Sequence, residues 1–320
     1  MLDHYRYVLR TILILPMLLA LSIEGDAEPA VTAKYLYTLS NFSGAVPVSV
    51  PNISIDESAR EVYVATGDAV RIFNEQGMEI YRFGSGDTVI RNIYDVAVLQ
   101  DGTILLLSYS YDSSKGYSPR IERCNYRGES PATLELQGVP AEHSEFRPTR
   151  MHCRGGLLYL ADLSAMKILV ITEAGEYRDA YDLAALIGIT GQREDAGMFD
   201  FSVDREGAIL FTSPILGRAY RITQDRKVDV FGKRGSTAGR FGIPTSVISD
   251  DAGRYYVSDT LRCVIMVFDH QFNFITEFGA RGRRPEDLIG PRSLALDSAG
   301  RLYIAQLGKR GVSVYRIASN

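Results

Sequence analysis

The chain has 320 residues, of which 46% are hydrophobic, contains no Trp and carries a formal net charge of −4. This mildly acidic balance argues against nucleic acid as a partner, because holding a phosphate backbone needs a net basic surface. The three cysteines form no C-x-x-C pair, which excludes a redox dithiol, a thiol zinc site and c-type haem attachment; no cofactor is expected.

Residues 1–27 read as a secretory signal. Arg6 and Arg10 precede the apolar run TILILPMLLAL, and the small residues Gly25 and Ala27 follow it. The run is short for a membrane span and is interrupted by Pro16. The expected mature protein is exported, periplasmic or extracellular, and has no membrane span. A lone strand comes next, YLYTLS (Tyr35–Ser40). From there the chain repeats. The clearest unit runs TSVISD, a turn at Asp251-Ala252-Gly253, RYYVSD, CVIMVFD and FNFITEFG. Its short runs are rich in β-branched and aromatic residues and bounded by Gly, Asp or Asn, as strands are. The turn glycine recurs at Gly207, Gly253 and Gly300, a period of 46–47 residues. Four strands per unit at that period mark propeller blades. The blades read as 52–84, 93–136, 148–182, 199–232, 245–279 and 292–317, and the last is one strand short. The expected fold is therefore all-β: one domain over 34–320, a six-bladed β-propeller of four-stranded antiparallel blades. Strand 35–40 should complete the last blade and close the ring, leaving no free edge.

The lead-in Phe231, Gly232, Phe241 and Pro244, the D-x-x-G turn, the Y-V-x-D strand and the terminal V-F-D resemble the NHL-repeat family of β-propellers. In that family the second strand ends in Asp, with a basic residue five positions later. Asp162 and Lys167 fit; Asp259 keeps the acid, but Val264 stands at the basic position. The resemblance implies a non-enzymatic binding role, since such domains mostly serve protein or ligand contacts. Similar exported bacterial propellers accompany multihaem cytochromes and envelope systems. An acidic or cytochrome-like protein is thus the expected partner, bound by a monomeric propeller. Other NHL-like or six-bladed propellers are metal-dependent lyases or lactonases, which makes a hydrolase or lyase at the central channel the alternative.

Strand alternation puts the a–b and c–d turns on one face and the b–c and d–a connections on the other. The long segments Tyr109–Ser118, Gln137–Arg147 and Leu183–Met198 all fall on the second face, where binding is expected. That face also collects Lys233, Arg234, Arg240, Arg281, Arg283, Arg284, Lys309 and Arg310, a candidate binding cluster for an acidic partner. Of the few histidines, His152 lies on an inner strand and reads as a hydrogen-bonded structural residue. Asp95 and Asp200 are the acids placed near the channel. Asp56, Asp204, Asp250 and Asp297 recur once per blade and read as turn residues. Cys124 is expected to be a buried thiol, and no disulfide is expected. No catalytic or metal-binding set is assigned.

Overall fold

The computed structural model describes residues 31–49, 51–84, 92–113, 116–129, 132–189 and 197–319. The signal segment 1–27 lies outside them. Among the described residues, six four-stranded antiparallel sheets form the blades of a propeller, beside one small hairpin of Ser40–Asn41 and Gly44–Ala45. Blade five shows the plan, with strands a to d at Pro244–Ser249, Tyr255–Asp259, Val264–Phe268 and Phe274–Phe278. The inner strands of the first four blades are Asn52–Asp56, Ile93–Val98, Arg150–Arg154 and Phe201–Val203; that of the sixth is Pro291–Leu296.

Strands b and c of blade five are buried at every position. A strand covered on both faces has no solvent side to alternate with, so it reads as a continuous apolar run. The covering comes from neighbouring blades. The core is divided into six clusters, one at each blade-to-blade interface. Phe211, stacked on Tyr220 at 4.9 Å, belongs to the slab between blades three and four. Leu105 and Leu107 fill the slab between two and three.

The ring closes as expected, with shifted boundaries. Val31–Thr38 pairs antiparallel with Val312–Ser319, the third strand of blade six, placing Tyr35 opposite Tyr315 and Val31 opposite Ser319. The closing strand thus begins four residues before Tyr35. It ends before Ser40, whose N–H donates to Gly77 O of blade one at 2.8 Å. Leu39 and Val46 then pack with Tyr303, Val312 and Val314 of blade six and Val62, Val64 and Phe73 of blade one, sealing the last interface.

Two further boundaries differ from the sequence reading. Tyr109–Ser118 is no loop: strands b and c of blade two run on as a hairpin, Ile104–Asp112 paired with Gly116–Cys124. The outer strand of that blade shrinks to Ala132–Thr133. Within Leu183–Met198 a short helix, Leu183–Leu186, is capped by Asp182, whose Oδ1 accepts from Ala185 N at 3.0 Å.

The glycine of the Phe-Gly lead-in has a packing reason. Gly232 has φ +74°, and a Cβ there would lie 2.0 Å from the Phe241 ring, which is fully buried at the interface between blades four and five. Gly67, in the b–c turn of blade one, has φ +85° with open space around it. Gly232→Ala should therefore lower the unfolding free energy by about 3 kcal/mol, from backbone strain and overpacking together. Gly67→Ala should cost about 1 kcal/mol, from backbone strain alone. Urea unfolding of the two variants checks this; equal losses would contradict it.

Candidate functional site

The inner strands share one polar position. Four residues before the turn that ends each inner strand stand Asn52, Asp95, Arg150, Asp200, Ser246 and Ser293. Cross-strand partners confirm the equivalence for Asn52, Asp95, Arg150 and Ser246, which face Ala65, Leu107, Ala161 and Ser258 of their second strands. These side chains form a polar hoop from blade to blade. Asn52 Nδ2 donates to Tyr94 O at 2.5 Å. Asp95 accepts from Val96 N at 2.9 Å and from Met151 N of the next blade at 2.7 Å. Arg150 Nε stands 4.0 Å from Asp200 Oδ1. Asp200 Oδ2 accepts from Ser293 Oγ at 2.8 Å, reaching past blade five to blade six. Blade five joins blade six through Thr245 Oγ1 and Thr260 Oγ1, which both donate to Pro291 O.

Burial sets the electrostatics of the hoop. It pushes the Asp95 carboxyl up to about 7, against the opposing pull of Arg150 and two backbone N–H donors. It raises Asp200 as well, again opposed by Arg150 and by the Ser293 hydroxyl. The Arg292 guanidinium lies over the Phe199 ring at 4.3 Å, and burial followed by repulsion from Arg150 lowers its pKa. Desolvation thus opposes the charges of Asp95, Asp200 and Arg292, and Arg150 opposes it at both carboxyls.

Below the hoop the inner strands enclose a cavity of about 580 Å³. Asn52, Asp95, Arg150, Asp200 and Ser293 form its deep end, and the a–b turn residues Glu57, Gln100 and Arg154 are exposed at its rim. It therefore opens on the short-turn face, opposite the face the sequence favoured for binding. His152 lines it. Contrary to expectation, the His152 side chain makes no hydrogen bond among the described residues; its ring meets the edge of Phe201 at 6.2 Å. Burial, with help from Arg154, lowers its pKa to about 4, so the imidazole is neutral at pH 7.

The opposite face carries the long connections and a set of exposed apolar side chains. Among the described residues ten large ones fall on its connections and strand ends: Phe42, Tyr94, Tyr111, Tyr117, Leu136, Phe199, Ile215, Leu216, Ile243 and Leu261. Tyr111 and Tyr117 face each other across the extended hairpin, their rings 5.2 Å apart. The predicted basic cluster divides into two groups. Arg234 donates to the carbonyls of Pro214 and Ile215, Arg281 to that of Leu261, and Arg310 to those of Arg283, Arg284 and Asp287. Arg284 pairs with Asp287 at 3.0 Å and with Glu286 at 3.3 Å. Arg234, Arg281 and Arg310 tie neighbouring loops together, and Arg284 is held within its own loop. Lys233, Arg240, Arg283 and Lys309 are exposed and make no side-chain hydrogen bond or ion pair among the described residues.

The remaining candidates are structural. Asp204 accepts from Glu206 N and Ala208 N, Asp250 from Ala252 N and Arg254 N, Asp297 from Arg301 N, and Asp56 from Ser58 N and Ala59 N. Each stabilises its own turn, as expected. Asp162 and Asp259, the acids of the repeat motif, pin the incoming loop by accepting from Arg147 N and from Gly242 N; Gln306 Oε1 does the same for Ile289 N. Cys124 and Cys263 are buried, Cys153 is half-buried, and all three are free thiols. Burial pushes Cys124 up to about 11 and Cys153 up to about 12. Among the described residues, no group of three or more His, Cys, Asp or Glu stands where it could hold a metal ion.

No protein-family model and no curated protein matches the chain. Solved structures do. Virginiamycin B lyase from Staphylococcus aureus is 12% identical with a TM-score of 0.56, over 91% of this chain and 100% of that one. An auxiliary nutrient binding protein from Bacteroides ovatus is 12% identical with a TM-score of 0.59, over 91% of this chain and 78% of that one. A chain of the nidogen/laminin complex is 14% identical with a TM-score of 0.53, over 78% of this chain and 93% of that one. At such identities the likeness is one of fold. The class is the six-bladed β-propeller, a scaffold whose members here have mixed functions.

The hoop makes a prediction about pH. A native Asp95 keeps its proton to about 7, whereas an unfolded Asp releases it near 4. The native state therefore binds the extra proton between those values. This contribution to stability is complete below the lower value and is lost as pH rises through the upper one. His152 works the other way: its contribution is complete above about 6.5 and is lost as pH falls through about 4. Urea unfolding should show Asp95→Asn losing less stability than the parent between about pH 5 and about pH 8. Parallel pH profiles would contradict the assignment.

Proposed function

We propose that this chain is an exported NHL-type propeller that acts as a binding protein, engaging an acidic protein partner through its b–c/d–a face. The observation that carries this reading is the set of ten exposed apolar side chains on the connections and strand ends of that one face. Exposed aromatic and aliphatic side chains gathered on one face are the chemistry of a docking surface. Lys233, Arg240, Arg283 and Lys309 lie on the same face with their charges uncommitted. They would steer an acidic partner and be sensitive to salt. The NHL-type assignment is supported by the seating of Phe241 on Gly232 and by the loop-pinning Asp162 and Asp259. The 1–27 leader motivates the placement outside the cytoplasm, and a mature protein beginning at Glu28 would be its mark.

The test is capture of an envelope protein by the immobilised propeller and by two variants. Ile215→Ser with Leu261→Ser removes apolar contact. Lys233→Glu, Arg283→Glu and Lys309→Glu together reverse the free charge. Each set should weaken capture of the same protein by about tenfold or more. Parent binding should also fall steeply between about 0.05 M and about 0.5 M salt. Capture that is indifferent to both variants and to salt would overturn the reading.

A further inference from the structure

The channel cavity opens on the face opposite the proposed docking surface. It has the volume of a ligand pocket, about 580 Å³ within the usual range of about 300–1,000 Å³. Its lining leaves specific hydrogen-bonding groups unmatched. Asn52 is 7% exposed; its Nδ2 is used by Tyr94 O, while its Oδ1 has no partner. Arg150 donates from Nη1 to Thr149 O, while its buried Nε has no hydrogen-bond partner. His152, two residues along the same strand, uses neither ring nitrogen. Asn52 Oδ1 and Arg150 Nε both lie sealed behind the cavity wall, so the group the wall presents is the neutral imidazole of His152, with one donor and one acceptor.

We propose that this cavity is a binding site for an uncharged, hydroxyl-rich small molecule of mono- or disaccharide size. Three features select that class. A hydroxyl donates and accepts at once, so a ligand with several of them satisfies both nitrogens of the His152 ring together. At the deep end Arg150 stands 4.0 Å from Asp200, so an ion entering there would lose its hydration without gaining an uncommitted counter-charge. Ile53, Val98 and Leu296 are half-buried on the cavity wall and offer aliphatic surface to the C–H faces of a sugar ring. This site shares no residue with the b–c/d–a surface, so the two proposals stand or fall separately.

The experiment is saturation-transfer NMR and calorimetric titration of the full propeller with D-glucose, D-galactose, maltose and cellobiose. Citrate and calcium chloride are titrated as the ionic alternatives. At least one sugar should saturate the protein. His152→Phe should weaken that sugar by about tenfold, the worth of a lost hydrogen bond; it removes no protein hydrogen bond and so keeps the fold. Val98→Phe, which fills the cavity from its wall, should weaken it similarly, with retained cooperative unfolding as its control. The loop-face variants should leave sugar binding unchanged. Failure of all four sugars to bind would overturn the proposal. So would binding indifferent to both cavity variants, or saturation by citrate or calcium in place of the sugars.

Discussion

Tyr35 stands opposite Tyr315, their rings edge to face at 5.6 Å, and joins the first described strand of the chain to the last. The rest of the molecule depends on that pairing. Each blade is apolar on both faces and is covered by its neighbours, so the core has no centre; it consists of six slabs arranged in a circle. A circle of slabs has no interior unless it closes. Without Val31–Thr38, the third strand of blade six would present an unpaired edge, and Leu39 and Val46 would leave the slab between blades six and one.

Closure also explains the hoop. Six sheets converge on a channel where aliphatic side chains could slide past one another with little cost. Directional bonds from Asn52 to Tyr94, Met151 N to Asp95, Ser293 to Asp200 and Thr245 to Pro291 fix each blade against another at its inner edge. Burying those charges works against stability, which burial expresses by pushing Asp95 and Asp200 toward neutrality. The hoop contributes geometry: it fixes a deep polar end for the channel cavity and leaves Asn52 Oδ1 and Arg150 Nε unmatched there. The two faces of the disc are therefore distinct in chemistry. One bears exposed aromatic and aliphatic side chains with free cations, and the other bears short Asp-stabilised turns around the cavity mouth.

Much of this was legible in the sequence, because the repeat is a repeat of residue types. The turn aspartates, the two-sided apolar strands and the missing strand of the last blade read directly as a six-bladed ring. The closing strand was placed four residues late because Val31–Lys34 lacks the aromatic alternation of YLYTLS. Tyr109–Ser118 read as a loop because Ser, Asp and Gly dominate it, although Tyr109, Tyr111 and Tyr117 already follow strand spacing. The basic cluster was visible as charge, but charge does not reveal that Arg234, Arg281 and Arg310 spend their donors on loop carbonyls. The hoop is hidden in the sequence for the opposite reason. Its position repeats while its chemistry changes, from Asn to Asp, Arg and Ser. Aligning the six inner strands by their turns would have exposed a column that is polar in every blade.

The most direct test of ring closure is native-state hydrogen exchange. The amides of the Val31–Thr38 strand that bond across to Val312–Ser319 should exchange only through global unfolding, with the same opening free energy as those of Leu105 and Leu107 in the core of blade two. Exchange of the closing strand at much lower free energy, while the Leu105–Leu107 amides stay protected, would show that the ring holds together without it and would contradict the account.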